Sequence, residues 1–285
     1  MEIEVKGHSG CSIDIIQDAS GLCILKSTYD KTYLNRLINQ AKKQQRASEI
    51  EYQHIRIPQI FNIDHDENHV SVKMEYIYSK NFIEYFETAG FEQISYFIKA
   101  LKIFLEWEIK VSPIELISKN IFLNKFIDVK NKIEKNSLLK NDKEIITIIE
   151  ESYKSFKKME DMSIPIGHCH GDLTFSNILF NGNNYFLIDF LDSFIESPII
   201  DMVKLRQDSY YRWSALMYKE KFDVCRFQIV TNKIDKLLNE YFSQYSWYNQ
   251  YYYYFQLMNL LRILQYAKEE KVILFLKQHI KNLLK

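Results

Sequence analysis

Hydrophobic residues alternate with polar ones in the first part of the chain, with the two-residue period of β-strands. Turns that contain glycine or polar residues separate these strands from one another. The strands are predicted at residues 3–5, 13–16, 22–25, 55–63 and 70–77. Between about residues 30 and 50 the apolar positions recur every three or four residues instead, without glycine or proline, which predicts a helix. The first 78 residues are therefore expected to form a small antiparallel β-sheet that carries one helix.

From residue 79 onwards the apolar positions follow helical spacing in most of the chain. Pro113 is placed for the first turn of a helix whose N-cap would be Ser112. The predicted helices are residues 82–88, 91–110, 113–124, 128–137, 142–160, 201–218, 223–242, 248–266 and 270–284. This change in pattern predicts two lobes, residues 1–78 and residues 79–285.

One stretch within the helical part is typical of a β-hairpin. Two apolar runs flank the turn sequence Asn-Gly-Asn-Asn at residues 181–184. Asp172 and Asn177 precede the hairpin, and Asp189 follows it directly. Because the second strand of a hairpin returns to the start of the first, these three side chains are expected to lie close together. Two carboxylates and an amide in one place indicate a chemical site.

A second candidate site lies near the start of the chain. The turn at residues 7–10, Gly-His-Ser-Gly, could present the backbone N–H groups of Ser9 and Gly10 to anionic oxygens. Lys26, at the end of the third predicted strand, would add a positive charge. Turn glycines and a solvated lysine are also ordinary features of antiparallel hairpins, so these residues alone do not establish a phosphate site.

Composition narrows the class of protein. Lys plus Arg and Asp plus Glu each number 37, so no net charge attracts the chain to nucleic acid or to anionic membranes. Four scattered cysteines, without a C-x-x-C pair, are typical of reduced thiols in a cytoplasm. The first residues lack the apolar core of a signal peptide, and no stretch reaches the roughly 18 apolar residues that a membrane span requires. We therefore expect a soluble cytoplasmic protein, without a membrane span or a nucleic-acid partner; its oligomeric state stays open.

The motifs resemble those of the aminoglycoside phosphotransferase and choline kinase superfamily, small-molecule relatives of the protein kinases. The resemblance is carried by His170-Gly171-Asp172 with Asn177 five residues later, and by Ile188-Asp189-Phe190. Asp201 matches a third aspartate that is usual in this superfamily. The resemblance implies an α+β, two-lobed, protein-kinase-like fold. Its small antiparallel N-lobe carries one helix, and its mainly helical C-lobe carries the catalytic hairpin.

The resemblance also implies a reaction. The protein would transfer the γ-phosphoryl group of ATP to a hydroxyl group of a small molecule, such as an amino alcohol, a sugar or an aminoglycoside. Asp172 would orient that hydroxyl or accept its proton. Asn177 and Asp189 would hold Mg²⁺ between the ATP phosphates, because Mg²⁺ prefers hard oxygen ligands.

Residues 1–78 would form the nucleotide-binding lobe, and residues 79–285 would supply the catalytic loop and the acceptor pocket. Lys26 would pair with the phosphates, together with the turn that contains Ser9 and Gly10. The strand that leads into the hinge would bind the adenine, which places Glu75 and Ile77 at the nucleotide.

The chain departs from the superfamily pattern in one respect. Kinases of this shape usually carry a glutamate on the N-lobe helix that pairs with the strand lysine. Residues 34–47 contain no glutamate, so the candidates to orient Lys26 are Gln40, Gln44, Gln45 and Glu49.

Two other functions fit parts of the pattern. A catalytically silent kinase-fold protein could bind the same ligands, although it need not retain Asp172, Asn177 and Asp189. The sequence from His168 through His170 to Asp172 also matches the H-x-H-x-D pattern of metal-dependent hydrolases. Such a site would require further histidines, and Leu173 stands where one would be expected.

Three further polar side chains lie in or near the hairpin segment. His170 is interpreted as a brace of the catalytic loop, and Asp201 as an acceptor for that loop or a helix cap. Asp192 would either face the substrate or lie in a solvated turn.

The acceptor is not specified by the sequence. Aromatic residues in the C-terminal part could form a cage for a quaternary ammonium group, or they could simply pack in the core. These residues are Tyr211, Trp213, Trp247 and Tyr266. An aminoglycoside pocket would require an acidic cluster, for which Glu269 and Glu270 are the candidates.

Overall fold

A computed structural model describes residues 11–18 and 21–285 of the chain. The elements before residue 80 are β1 (Ser12–Asp18), β2 (Gly21–Thr28), α1 (Leu34–Ser48), β3 (Ile55–Arg56), β4 (Ile60–His65) and β5 (Val70–Glu75). Four of these strands form one antiparallel sheet in the order β1-β2-β5-β4. The strand predicted at residues 3–5 lies outside the described residues.

Helix α1 covers one face of this sheet. Because strand side chains alternate between the two faces, every second residue of β5 points towards the helix. The apolar residues of α1 recur every three or four positions, so they form a single stripe that meets β5. The buried residues of this small cluster are Cys11, Leu34, Leu37, Ala41, Ile60, Val70, Val72 and Met74. Ile24 of β2 packs against the same cluster, which holds the strand that carries Lys26.

Helices dominate the rest of the chain. In order, the elements are α2 (Phe82–Thr88), α3 (Phe91–Val111), β6 (Ile114–Ile117), α4 (Lys119–Lys135), α5 (Lys143–Lys158), β7 (Met162–Pro165), a single 3-10 turn (Phe175–Asn177), β8 (Ile178–Asn181), β9 (Asn184–Leu187), α6 (Pro198–Ser209), α7 (Trp213–Met217), α8 (Val224–Phe242), α9 (Ser246–Leu264) and α10 (Glu270–Leu284). The predicted α+β class, with a small antiparallel sheet and a mainly helical remainder, is confirmed. Within residues 11–18 and 21–285, no helix is long and apolar enough to cross a membrane.

The strand predicted at residues 55–63 divides into two strands that belong to different sheets. Pro58 lies between them and has no N–H group to donate to a sheet. β3 pairs in parallel with β9, far along the chain, whereas β4 pairs with β5. The single-strand prediction was therefore wrong, because it assigned the whole stretch to the N-terminal sheet.

The helix predicted at residues 113–124 was also wrong at its start. Residues Ile114–Ile117 form β6, which pairs antiparallel with β7. The Ser112 hydroxyl does not cap a helix; it accepts a hydrogen bond from the N–H of His168 at 3.0 Å. Ser118 caps α4 instead, and this helix continues through the gap predicted between residues 124 and 128.

The helix predicted at residues 201–218 begins earlier and is interrupted. α6 starts at Pro198, which suits a first turn, with Ser197 as its N-cap. It ends at Ser209, and Arg212 adopts a left-handed backbone conformation before α7 begins. Asp201 therefore lies in the first turn of α6, with two further turns of the same helix behind it.

The hairpin of β8 and β9 packs into a second, larger hydrophobic cluster. Phe180 of β8 stacks on Tyr85 of α2 with ring centroids 4.3 Å apart. The hydroxyl of Tyr85 lies 3.0 Å from that of Tyr185 on β9. These buried contacts fix the hairpin against the helical part of the molecule.

Candidate active site

The hairpin forms as predicted. β8 and β9 pair antiparallel from Ile178 opposite Leu187 to Asn181 opposite Asn184, and Gly182 supplies the positive φ of the turn. At the open end, the N–H of Ile188 donates to the carbonyl of Asn177 at 3.1 Å. Asn177 and Asp189 are therefore held at the same end of the hairpin.

Lys26 binds Asp189 directly. The Lys26 ammonium lies 2.7 Å from one Asp189 carboxylate oxygen, in an ion pair that joins β2 to the segment after the hairpin. Burial acts to lower the pKa of Lys26, but the charge and hydrogen bond of Asp189 outweigh it and raise that pKa above its usual value. Asp189 itself has a left-handed backbone with φ of 61°, an uncommon conformation for a residue other than glycine.

Asp172 is held by two partners. The Lys204 ammonium lies 3.0 Å from Oδ1, and the Asn177 amide donates to Oδ2, also at 3.0 Å. The same amide donates to the Asp172 carbonyl at 2.8 Å. Burial acts to raise the pKa of Asp172, but Lys204 outweighs this effect, so the pKa lies below its ordinary value. The carboxylate is therefore ionised at neutral pH and can accept a hydrogen bond from a hydroxyl group.

Helix α6 supports the loop of residues 170–175 through one face. Asp201 accepts hydrogen bonds from the backbone N–H groups of His170 and Gly171, which confirms the predicted acceptor role. Lys204, three residues later, pairs with Asp172. Asp208, four residues further, accepts the N–H of Phe175 at 2.7 Å. Residues three, four and seven apart share one helix face, so a single stripe of polar residues holds residues 170–175.

His170 joins the two sides of the site. Its Nε2 lies 2.9 Å from the carbonyl of Ile188, and its Nδ1 accepts the N–H of Asp172 at 3.2 Å. Burial is the largest of the effects that lower the pKa of His170, which falls to about 4, so the ring is neutral. Both ring nitrogens are occupied, which agrees with the predicted bracing role and leaves neither free to bind a metal.

Gly171 is required by close approach of the backbone. Its φ is +89°, and a Cβ at this position would collide with the carbonyl oxygen of Leu191. Any side chain here would separate the catalytic loop from the segment that follows Asp189.

A sequence model described as "Phosphotransferase enzyme family" matches residues 130–223 of this chain. The matched segment contains the catalytic loop, the hairpin and α6. The predicted resemblance is confirmed. A search of curated proteins finds no match.

Solved structures of this kind share the fold along the whole chain. The GDP complex of wild-type aminoglycoside 2'-phosphotransferase-IIIa matches with a TM-score of 0.64 and 12% identity, over 99% of this chain and 93% of that chain. Amicoumacin kinase hAmiN, in complex with AMP-PNP, Ca²⁺ and Ami, has a TM-score of 0.61 and 11% identity, over 99% and 87% of the two chains. A choline/ethanolamine kinase family protein from Mesorhizobium loti has a TM-score of 0.61 and 12% identity, over 100% and 88%. These matches establish the kinase-like fold.

None of the four residues predicted to orient Lys26 reaches it within the part of the chain that the structure describes. Among the contacts of the described residues, Gln40 bonds to Tyr33 and Gln44 to the carbonyl of Pro58, and neither reaches Lys26. Gln45 and Glu49 show no contact with Lys26 either. The Lys26 ammonium pairs with Asp189 instead.

Helix α1 contributes a cation rather than an anion to the site. The ammonium of Lys43 lies 2.6 Å from Glu196 and 2.7 Å from the carbonyl of Leu191. Both partners belong to the segment after Asp189. Lys43 therefore links α1 to the segment that follows Asp189, with the cation on the helix and the anion, Glu196, on that segment.

Within the described part of the chain, the other residues predicted to bind nucleotide make no hydrogen bond or ion pair with Lys26, Asp172, Asn177 or Asp189. Ser9 and Gly10 lie outside the described residues. Glu75 ends β5, and its carboxylate accepts the N–H of Gln59 at 3.2 Å. Ile77 follows two residues later and is half-buried. Their adenine contact stays a prediction.

Lys204 and Asp208 were missed by the sequence reasoning, although a signal was present. Once Asp201 is expected to face the catalytic loop, the helical positions three and seven residues later must face it as well. Lys43 carried no comparable signal, because its partners are more than 140 residues away.

The candidate aromatic cage is not assembled. Tyr211 and Trp213 pack against α10, on His279 and Phe275 respectively. Trp247 packs against Tyr245. Among the described residues, no ring contact joins Tyr211, Trp213, Trp247 and Tyr266 to one another. Asp192 is exposed and lines a cavity of about 490 Å³, together with Lys43 and Glu196.

Proposed function

We propose that this chain is a phosphotransferase that transfers the γ-phosphoryl group of Mg²⁺-bound ATP to a hydroxyl group of a small molecule. The observation that carries this proposal is that two contacts meet at the end of the hairpin: Lys26 pairs with Asp189, and Asn177 donates to Asp172. His170 bridges them by binding the N–H of Asp172 and the carbonyl of Ile188, the residue before Asp189. Phosphoryl transfer depends mainly on positioning and on neutralising charge, and these groups supply both.

The oxygen atoms at the end of the hairpin fit Mg²⁺. The Asn177 amide nitrogen is committed to Asp172, which leaves the amide oxygen available as a ligand. One oxygen of Asp189 pairs with Lys26, and the other would bind the ion. Within residues 11–18 and 21–285, no three His, Cys, Asp or Glu side chains are grouped to hold a metal ion. The ion would therefore also need phosphate oxygens and water, as Mg²⁺ commonly does.

Each residue would have a distinct part in the reaction. Lys26 would place its positive charge near the phosphates, while Mg²⁺ would shield the charge of the transferred group. Asp172 would orient the acceptor hydroxyl and accept its proton. The complex of amicoumacin kinase hAmiN with AMP-PNP and Ca²⁺ supports an adenine nucleotide with a divalent cation at this kind of site. The GDP complex of the 2'-phosphotransferase makes GTP the nucleotide to compare with ATP.

A metal-dependent hydrolase that uses His168, His170 and Asp172 is disfavoured by the geometry. Both nitrogens of His170 are hydrogen-bonded within the protein. Asp172 is engaged by Lys204 and Asn177.

Release of a nucleoside diphosphate that depends on an added acceptor, ADP from ATP or GDP from GTP, tests the proposed function. Small alcohols, sugars and amino alcohols would be screened with Mg²⁺ and either ATP or GTP. Asp172→Asn should retain nucleotide affinity and lose turnover by roughly 10²-fold or more, because proton acceptance and positioning are both impaired. Asp189→Ala should lose the stabilisation that Mg²⁺-ATP gives in thermal unfolding.

The exposed substitution Lys236→Gln serves as the control and should change neither property. Full activity in Asp189→Ala would contradict the metal assignment. Loss of nucleotide affinity in Asp172→Asn would contradict the role given to that residue. Binding of Mg²⁺-ATP without turnover on any acceptor would favour the silent kinase-fold protein.

A further inference from the structure

Two cations from the helical part of the molecule lie near Asp172. Lys204 of α6 binds Asp172 at 3.0 Å, and its ammonium also donates to the side chain of Gln207 at 3.3 Å. A lysine ammonium has three N–H donors. Among the described residues, these contacts use two of the three donors, so one remains for a ligand beside the candidate catalytic carboxylate.

Helix α9 brings the second cation to the same place. Asn259 donates to Gln207 at 2.9 Å, so this face of α9 meets the polar group around Lys204. Arg262 follows three residues later on the same helix face. Its guanidinium stands 5.7 Å from the ring centroid of Phe194, in the segment that follows Asp189. Burial lowers the pKa of Arg262 below its ordinary value, although the Asp172 carboxylate acts in the opposite direction.

Arg262 differs from the other partly buried arginines in its hydrogen bonding within the described part of the chain. Arg206 binds both oxygens of Asp235, at 2.9 and 3.1 Å, and Arg226 binds two backbone carbonyls. Among residues 11–18 and 21–285, no atom accepts a hydrogen bond from the Arg262 guanidinium. The nearby carboxylate of Asp172 is already engaged by Lys204 and Asn177. A partly buried cation that lacks a counter-charge favours the binding of an anion.

We propose that the acceptor carries an anionic group, a carboxylate or a phosphate, and that Lys204 and Arg262 bind this group beside Asp172. This inference rests on the proposed phosphotransfer. An acceptor that carries ammonium groups, as aminoglycosides do, would be repelled by the same two cations. The γ-phosphoryl group is a second possible anion. However, it is expected on the side of Lys26 and Asp189, whereas Arg262 and Lys204 belong to helices of the C-terminal part.

Matched acceptors test this inference. Glycerol and glucose would each be compared with derivatives of the same skeleton that carry a carboxylate, a phosphate or an ammonium group. In the ADP-release assay, the anionic members should exceed the neutral and ammonium members in kcat/KM by about tenfold or more. Arg262→Gln should remove this preference through a higher KM for the anionic acceptor, with the KM for ATP nearly unchanged. Arg262→Lys should retain most of the preference, and Lys236→Gln should retain all of it.

Two results would overturn the inference. One is a neutral or ammonium-bearing acceptor as the best substrate. The other is an Arg262→Gln variant in which the KM for ATP rises and the KM for the acceptor does not, because Arg262 would then serve the γ-phosphoryl group.

Thermal unfolding separates failure of this inference from failure of the proposed function. Stabilisation by Mg²⁺-ATP without stabilisation by any anionic acceptor would overturn the anionic subsite and leave the phosphotransferase proposal standing. Absence of Mg²⁺-ATP binding and of ADP release would overturn the proposed function. In that case, an anionic acceptor that stabilises the wild-type protein but not Arg262→Gln would still establish the anion site. Absence of any such stabilisation would overturn the anion site as well.

Discussion

His170 shows how one neutral side chain can hold the segments that carry Asp172 and Asp189. Its two nitrogens connect the backbone of Asp172 to the carbonyl of Ile188, the residue before Asp189. The imidazole also lies against the ring of Phe190, with centroids 4.1 Å apart. A protonated ring could not accept the N–H of Asp172, so this arrangement requires the neutral form.

The buried neutral state of His170 predicts a specific pH dependence of stability. The pKa of His170 is lowered from 6.5 to about 4 in the folded protein, chiefly by burial. As the pH falls through 6.5, His170 becomes protonated in the unfolded chain but stays neutral in the folded protein. The stability that this residue contributes is therefore complete above 6.5 and is lost as the pH falls towards 4. The loss amounts to about 3 kcal/mol.

The measurement is urea unfolding of the wild-type protein and of His170→Asn between pH 7.5 and pH 4.5. The variant should be less stable at neutral pH, and the difference in free energy of unfolding should shrink as the pH falls. The exposed substitution His65→Asn is the matched control. A difference that stays constant with pH would show that His170 is not buried in its neutral form.

At the scale of elements, α6 holds the loop of residues 170–175, and the sequence indicated this only in part. The hairpin was predictable because its turn, Asn-Gly-Asn-Asn, and its two apolar runs are local. Asp201 was predictable through the resemblance. The pairing of β3 with β9, and of β6 with β7, was not predictable, since each short strand is stabilised by a partner that is distant in sequence. Lys43 was missed for the same reason, because its partners follow Asp189.

The contact between α1 and the segment after Asp189 predicts an energetic coupling between Lys43 and Glu196. Lys43 and Glu196 form an ion pair of 2.6 Å with side chains that are 13% and 34% exposed, and Lys43 also binds a backbone carbonyl. Because the pair is partly shielded from water, we expect a coupling energy of about 1–2 kcal/mol between Lys43→Met and Glu196→Gln. Each single variant should also reduce turnover, since Lys43 positions the segment that follows Asp189.

A double-mutant cycle from denaturant unfolding measures this coupling. The surface pair of Lys130 and Glu134 on α4, with side chains 43% and 56% exposed, is the control and should give at most about 0.5 kcal/mol. Equal coupling in the two pairs would contradict a special role for Lys43.

At the scale of the whole molecule, the site lies between two hydrophobic clusters. The small cluster joins α1 to the N-terminal sheet, and the large cluster contains the hairpin and the helices. Ala47, Ile55 and Ile57 pack in the large cluster, although they precede the predicted boundary at residue 78. Among the described residues, the Lys26–Asp189 and Lys43–Glu196 ion pairs connect the two sides. A nucleotide held by Lys26 and Asp189 would contact both.

The separation of the core into two clusters predicts that each cluster can open independently of the other. Leu37 is buried in the small cluster and Leu257 in the large one. Replacing either by alanine removes apolar contacts and leaves a cavity, which destabilises the protein by roughly 2–5 kcal/mol. If the clusters are separate cooperative units, each substitution lowers the free energy of opening mainly in its own unit. Hydrogen exchange should then accelerate in α1, β4 and β5 for Leu37→Ala, and in α6 and α9 for Leu257→Ala.

The paired design provides its own control, because the two substitutions are chemically identical. Saturating Mg²⁺-ATP should slow exchange in both units of each variant, since the proposed nucleotide site has residues on both sides; ligand at 100 times its Kd contributes about 2.7 kcal/mol. Acceleration of exchange in α9 to the same extent as in α1 after Leu37→Ala would show one cooperative unit, and the division into lobes near residue 78 would then be wrong for stability.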